Sequence, residues 1–405
     1  MEKPVAVIEI TSNSIKFVAG YELDGKVYVI YTLNKKIGNL VNNGRIIDMP
    51  RLVEEIKKIS DVQDNQAFIH IKFSEAIVIL PPCGLTVYRT SQISNTVSDV
   101  NKIGTVDVRN VYCLIRKSLN LTNDALVDII ADSYVLDQNR RFSRPPLGEN
   151  SSTLSVEAKV HLLPNVIYNE YVNVFNSASL SVKRTVIAPF ASAQILAKEE
   201  NIPSKYVLVD IGSDMTTVSL IGGNQIFSST SFLWGSDRIN DALISKFNFV
   251  ENDAEKYKCL YGLDNRKMNF DAPICTLINE DGSKTKVSHD EFNSTIKSQI
   301  DLLVTSLNSA IDQLSKDYNN PIAIKKLPMI LIGGGSQLNG LKEYIEHKVP
   351  SDTVENRIPK TLGARNPGLY SCLGAVLVHA TYPTVYDDSH PKVNQLTRNT
   401  KEKWG

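Results

Sequence analysis

Glu9 and Asp210 stand 201 positions apart, and each sits near the end of an apolar run that passes through a small polar turn into a second apolar run. The first stretch reads Val7-Ile8-Glu9-Ile10-Thr11-Ser12-Asn13-Ser14 and the second Leu208-Val209-Asp210-Ile211-Gly212-Ser213-Asp214-Met215. Ser12 and Ser213 keep the same offset. Two acid-tipped hairpins facing each other can hold the phosphate chain of a nucleotide and its metal. Mg2+ is a hard ion that sheds water reluctantly, so Asp210 and Glu9 are expected to hold it through water.

The second stretch is the stronger phosphate candidate. Gly212 lets backbone N–H groups turn toward an anion, while Ser213, Thr216 and Thr217 add hydroxyls. In the first stretch Thr11 stands where its twin has Gly212. Threonine adopts positive φ only at a cost, so a different or strained turn is expected there. Ser12, Asn13 and Ser14 still offer donors to phosphate. Either stretch alone reads equally well as a plain strand turn; the repetition is what points to a ligand.

A third segment, Ile330-Leu331-Ile332-Gly333-Gly334-Gly335-Ser336-Gln337-Leu338-Asn339-Gly340, is a strand ending in three glycines before a helix near 338–348. Such a run lets a base or a phosphate approach the backbone closely. Its spacing matches neither a dinucleotide fingerprint nor a Walker loop. Glu255 and Lys258 are three apart on an expected helix, so they share a face and can reach ribose hydroxyls. From spacing alone, a solvated ion pair is the simpler account of them.

Other chemistries find little support. The 44 basic and 44 acidic residues give no overall field to attract nucleic acid or a membrane. The five cysteines are odd in number and lack zinc or redox spacing, as in a reducing compartment. The six histidines are scattered, and no nucleophile elbow is present. The N-terminus shows no signal-peptide pattern, and no apolar run is long enough to span a bilayer.

Strands are expected over 4–33, at 68–71 and at 76–80, with a helix over 50–59. After Pro81-Pro82-Cys83-Gly84 the pattern changes. Residues 85–160 read as Ser/Thr/Asn-rich loops, a helix near 106–118 and strands near 127–136 and 153–163, together a small separate domain. Helices are expected at 166–178, 188–199, 235–247, 290–317 and 366–382. The last nineteen residues, from Asp387, are polar and aperiodic, and read as disordered. Strands alternating with helices in two halves of one plan argue for α/β layers and a nucleotide cleft between the halves.

Taken together these pieces resemble the actin, Hsp70 and sugar-kinase superfamily, and more closely the FtsA family of actin-like bacterial cell-division proteins. The resemblance spans roughly 4–385. It rests on Glu9 to Lys16, Gly44 to Asp48, Glu157-Ala158-Lys159-Val160-His161-Leu162-Leu163, Ala188-Pro189-Phe190-Ala191-Ser192-Ala193 and Asp210 to Thr217. It rests also on Gly235-Ser236 with Ile239 and Asp241, on Ile330 to Gly340, and on Ala364-Arg365-Asn366-Pro367 with Tyr370 to Ala375.

The resemblance implies an actin-like, ribonuclease H-like two-lobed ATPase fold with two inserted subdomains. The first lobe would hold 1–82, 161–203 and 365–385, and the second 204–254 and 325–364. An insertion of FtsA type would span 83–160. Another, at 255–324, would carry the site for the FtsZ C-terminal peptide. ATP with Mg2+ is the implied cofactor, bound more than turned over. Glu9, Ser12, Asn13, Ser14, Asp210, Gly212, Ser213, Asp214, Thr216, Gly235, Ser236, Glu255, Lys258, Gly333, Gly334, Gly335 and Ser336 would form the site. The implied role is a filament-forming adaptor that tethers the FtsZ ring at the septum, on the cytoplasmic face of the membrane, beside other division proteins. A C-terminal amphipathic helix would make the membrane contact. The sequence, ending Asn399 to Gly405 without an apolar face, is expected to stop short of it. Two alternatives on the same fold are a scaffold of another apparatus, such as the pilus protein PilM, and a small-molecule kinase.

Overall fold

The structure, a computed structural model, describes residues 3–38, 40–65, 68–98, 100–263, 273–278, 283–317 and 324–382. The expected tail from Asp387, and parts of the 255–324 insertion, lie outside them. The chain forms two compact units. One comprises the described residues of Met1–Leu85 with Val166–Val378, the other those of Thr86–Asn165 with His379–Tyr382.

The larger unit contains two five-stranded sheets built to one plan. In the first, Lys26–Lys36, Ser14–Leu23 and Val5–Ile10 form an antiparallel meander, and Glu75–Leu80 and Ser181–Ile187 follow in parallel. In the second, Gln225–Phe232, Thr216–Gly222 and Lys205–Ile211 form the meander, and Met329–Ile332 and Val354–Asn356 follow in parallel. The central strands are near-continuous apolar runs, as strands covered on both faces must be. Val7, Ile8, Val209 and Leu331 are all fully buried.

Helices cover these sheets with their apolar stripes. In Met49–Ile59 the Asp48 side chain caps the Arg51 N–H at 3.1 Å, and Leu52, Ile56 and Ile59 face inward. In His289–Asp317 the residues Ile296, Ile300, Leu303, Leu307, Ile311 and Leu314 recur at three- and four-residue steps and vanish into the core of the second sheet. The Ala188–Leu196 helix is buried all round. Gly374 of the Tyr370–Thr381 helix lies against it so closely that a Cβ there would stand 1.7 Å from the Ala191 carbonyl oxygen.

The smaller unit is a four-stranded antiparallel sheet. Its order is Arg140–Phe142, Asp124–Leu136, Thr153–Pro164, Thr86–Asn95, and the Thr105–Ser118 helix packs on it through Val108, Val111 and Ile115. The edge strand Thr86–Asn95 corrects the loop expected there. Its alternation is between polar residues and isolated apolar ones, and most of its side chains are exposed, so hydrophobic periodicity gave no signal.

Candidate nucleotide site

Each acid-tipped turn is fixed by strand register. Ile10 pairs with Ile15, and Ile211 with Thr216, which leaves four residues to turn in each hairpin. Thr11 N–H donates to the Ser14 carbonyl at 2.9 Å, and Gly212 N–H donates to the Met215 carbonyl at 3.0 Å. These are the same bond at the 201-residue offset. Neither Thr11 nor Gly212 has positive φ, so the strained or different first turn expected from threonine is not found. The Thr11 hydroxyl is absorbed within the turn instead, 2.9 Å from both the Ser14 carbonyl and the Ser14 hydroxyl. Both turns leave the amides of their second and third residues outside the turn's own hydrogen bonds. Those are the N–H groups an anion between the hairpins would meet.

Glu9 and Asp210 lie on the penultimate residues of their strands, beside Ile79 and Ile332 in the parallel neighbours. Glu9 is buried and accepts two hydrogen bonds, from Lys16 Nζ at 2.9 Å and from Ser371 Oγ at 2.8 Å. Lys16 is the cross-strand partner of Glu9, and its twin in the second hairpin is Thr217. Burial alone would lower the Lys16 pKa, but the charges of Glu9 and Asp210 outweigh it and raise it. Burial pushes Asp210 up to about 6, against the pull of Lys16 and with the help of Glu9. One ammonium thus serves two carboxylates. Lys16 was not among the residues singled out from the sequence, because its proximity to Asp210 is purely tertiary.

The two turns touch. Ser12 Oγ donates to Asp214 Oδ2 at 3.3 Å, and Asn13 Nδ2 to Asp237 Oδ2 at 3.5 Å. A cavity of about 110 Å³ lies beside this junction, lined by Glu9, Ser12, Lys16, Asp210, Ser213 and Asp214 among others.

The Asp237–Phe247 helix starts against the second turn. Ser236 N–H donates to the Gly212 carbonyl and Asp237 N–H to the Ser213 carbonyl, so the positive helix end is anchored at the cleft. Gly235 is needed there: a Cβ would fall 2.1 Å from the Ser213 oxygen. One helix later, Lys258 Nζ donates to Glu255 Oε2 at 2.6 Å and to the Ser236 carbonyl at 3.3 Å. Asn240, also missed in the sequence, donates to the same Glu255 oxygen at 2.7 Å. Burial opposes ionisation of Glu255, yet the bonds from Lys258 and Asn240 prevail and lower its pKa.

Gly333 has φ of +87° and lies against Asp210, where a Cβ would meet Oδ1 at 2.3 Å. Gly335 abuts Ile211, while the space beside Gly334 is open. Two hydroxyls offered to the ligand are spent on the fold. Thr216 Oγ1 is buried and donates to the Trp234 carbonyl at 2.7 Å, and Ser336 Oγ is buried and donates to the Gly333 carbonyl at 2.8 Å. Ser14 is buried too, with its hydroxyl on Thr11.

This set fits a nucleotide. Space is open beside Gly334, the Asn240 Oδ1 is buried without a hydrogen-bond partner, and the amides of Ser12, Asn13, Ser213 and Asp214 are unclaimed by the backbone. Among the described residues no group of three or more His, Cys, Asp or Glu is placed to hold a metal directly. Mg2+, if bound, would be held through water by Glu9 and Asp210.

Known proteins resemble this chain in sequence and in fold. The family model "Cell division protein FtsA" matches residues 207–374. FtsA of Enterococcus faecalis is 22% identical over 384 residues, covering 94% of this chain and 84% of that protein. FtsA of Streptococcus pneumoniae is also 22% identical, covering 89% and 76%. Among solved structures, a PilM–PilN type IV pilus biogenesis complex superposes with a TM-score of 0.59 at 15% identity, covering 94% of this chain and 99% of that one. The ethanolamine utilization protein EutJ of Carboxydothermus hydrogenoformans follows at 0.52 and 14%, covering 93% and 90%. MreB5 of Spiroplasma citri bound to ADP follows at 0.50 and 12%, covering 93% and 96%. The chain is therefore similar in sequence to the cell-division protein FtsA over most of its length, and its fold is actin-like.

Proposed function

We propose that this chain is an actin-like cell-division protein that binds ATP between its twin hairpins and uses the bound nucleotide to hold its two lobes together for assembly. The observation that carries this reading is the pair of identically bonded turns, in contact through Ser12 and Asp214, with Glu9, Lys16 and Asp210 beneath them. The sequence likeness to FtsA supplies the biological context.

In this reading the turn amides and Ser12, Asn13 and Ser213 meet phosphates, with Lys16 as the added cation. Gly334 and its neighbours meet the base, and Glu255 and Lys258 the ribose. Mg2+, when bound, neutralises the phosphate chain. A ligand that binds only the closed arrangement stabilises it in proportion to its occupancy. Filaments form under the membrane and tether the FtsZ ring by grasping the FtsZ C-terminal peptide on the 255–324 insertion, with other division proteins alongside. Hydrolysis is weak or absent.

Calorimetry with Mg-ATP at millimolar concentration tests the binding, and absence of heat removes the reading's basis. Electron microscopy on lipid monolayers, with and without nucleotide, tests assembly. Pull-down with the FtsZ C-terminal peptide tests the partner. Capture of a pilus-protein peptide in its place turns the reading toward a PilM-like scaffold.

A further inference from the structure

The even charge balance of the chain hides a local excess. No acidic residue stands between Asp24 and Asp48, nor between Glu355 and Asp387, although the chain holds 44 of them in 405 residues. These two stretches meet in the fold. The first supplies Lys26–Lys36, the edge strand of the first sheet. The second supplies a segment pinned at both ends. Arg357 N–H donates to the Leu331 carbonyl, and the Pro367 carbonyl takes the Gly333 N–H. Between those points the segment makes a tight turn against the edge strand.

Ala364 N–H donates to the Thr361 carbonyl at 3.1 Å, and Gly363 has φ of +80°, as a turn with glycine in its third place requires. The Gly363 carbonyl takes the Thr32 hydroxyl at 3.2 Å, and a Cβ on Gly363 would stand 3.8 Å from Val29 Cγ1. The turn is therefore seated on the strand. Its corner is Leu362, which is 77% exposed. Ile30 lies between Val29 and Thr32, at a register shift that leaves it without a partner in the neighbouring strand, and it is exposed as well. Lys360 and Arg365 flank the turn, and both are exposed. The acids around it are engaged: Glu355 with Arg357, Glu55 with Lys35, Asp64 with the Tyr31 hydroxyl, and Glu199, whose charge Lys360 feels, with the Tyr370 hydroxyl.

An apolar corner that stands out from a pinned turn offers no cleft to receive a peptide. Beside exposed cations, it complements a soft plane of negative charge. We infer that this turn is a membrane contact: Leu362 and Ile30 enter the headgroup region of an anionic bilayer, and Lys360 and Arg365 meet its phosphates. The contact belongs to the folded body and is separate from the C-terminal helix that the family resemblance implies. It needs no nucleotide, so its failure would leave the reading of the cleft untouched.

The test is co-sedimentation of the full chain, without nucleotide, with vesicles of phosphatidylglycerol and phosphatidylcholine and with vesicles of phosphatidylcholine alone. The variants are L362D, the double variant K360E/R365E, and L302D, which alters an exposed leucine on the His289–Asp317 helix as a control. Circular dichroism shows that each is folded. The wild type is expected to pellet with the anionic vesicles at least about fivefold more than with the neutral ones, and to be released by about 0.5 M salt. L362D and K360E/R365E are each expected to lose at least about fivefold of that binding, and L302D to stay within about twofold of the wild type. Equal pelleting with both kinds of vesicle overturns the inference, as does undiminished binding by L362D and K360E/R365E. Pelleting that is the same without vesicles also overturns it, and assigns the turn to contact between copies of the chain.

Discussion

Lys16 reaches back across the first hairpin to Glu9, 2.9 Å away, and its charge is shared with Asp210 on the other hairpin. Replacing it with methionine keeps most of the stem but leaves two buried carboxylates without a cation. The expected cost is about 3 kcal/mol in urea unfolding. Mg-nucleotide affinity is expected to fall at least tenfold, read by calorimetry. Arginine at this position is expected to restore stability only in part, since its fork is bulkier than the space beside Gly368, which stands close to the Lys16 Nζ.

Asp210 makes ligand-free stability depend on pH with a definite sign. Its folded pKa is pushed up to about 6 by burial, whereas an unfolded aspartate titrates near about 4. Between those values the folded chain holds a proton that the unfolded chain has lost. Stability must therefore fall as pH rises through that window and level off above it. The difference between wild type and D210N, measured by urea midpoints from pH 4 to 7, is expected to show this slope in the wild type alone.

Gly374 and Ala191 touch backbone to backbone, with no room for a methyl group. G374A is expected to cost about 3 kcal/mol or more, because the obstacle is a helix carbonyl and not a flexible side chain. A melting curve checks it. An alanine at Gly334, beside which the space is open, is expected to be near neutral for stability and serves as the control.

Tyr370 donates to Glu199 Oε1 at 2.9 Å, and the other oxygen of that buried carboxyl has no hydrogen-bond partner. Burial already raises the Glu199 pKa, and the tyrosine counters this. Y370F is expected to destabilise by about 1–2 kcal/mol at neutral pH and by less at pH 5, where the carboxyl is more fully protonated.

The duplicated plan of the molecule was legible because the 201-residue offset is written into residue types: acid, isoleucine, small polar turn. The sequence marks Gly333 for the close approach of a ligand, whereas in the fold Gly333 and Gly235 make room for Asp210 and Ser213. What escaped was whatever depends on where a side chain finally points. On paper Thr216 looks like a phosphate donor and Ser336 like an adenosine contact, yet the Thr216 hydroxyl holds the Trp234 carbonyl and the Ser336 hydroxyl closes its own turn on Gly333. Lys16 and Asn240 look like ordinary strand and helix residues, and their roles arise from neighbours far away in the chain. The strain expected at Thr11 presumed a positive φ that neither hairpin uses.

The Tyr370–Thr381 helix carries both Gly374, seated on Ala191, and Ser371, whose hydroxyl holds Glu9. With no side chain between them, the two helix backbones meet directly at that point and leave no slack. The hydroxyl that holds Glu9 sits one helical turn from this seat, so the position of the acid is tied to a contact that tolerates no added atom.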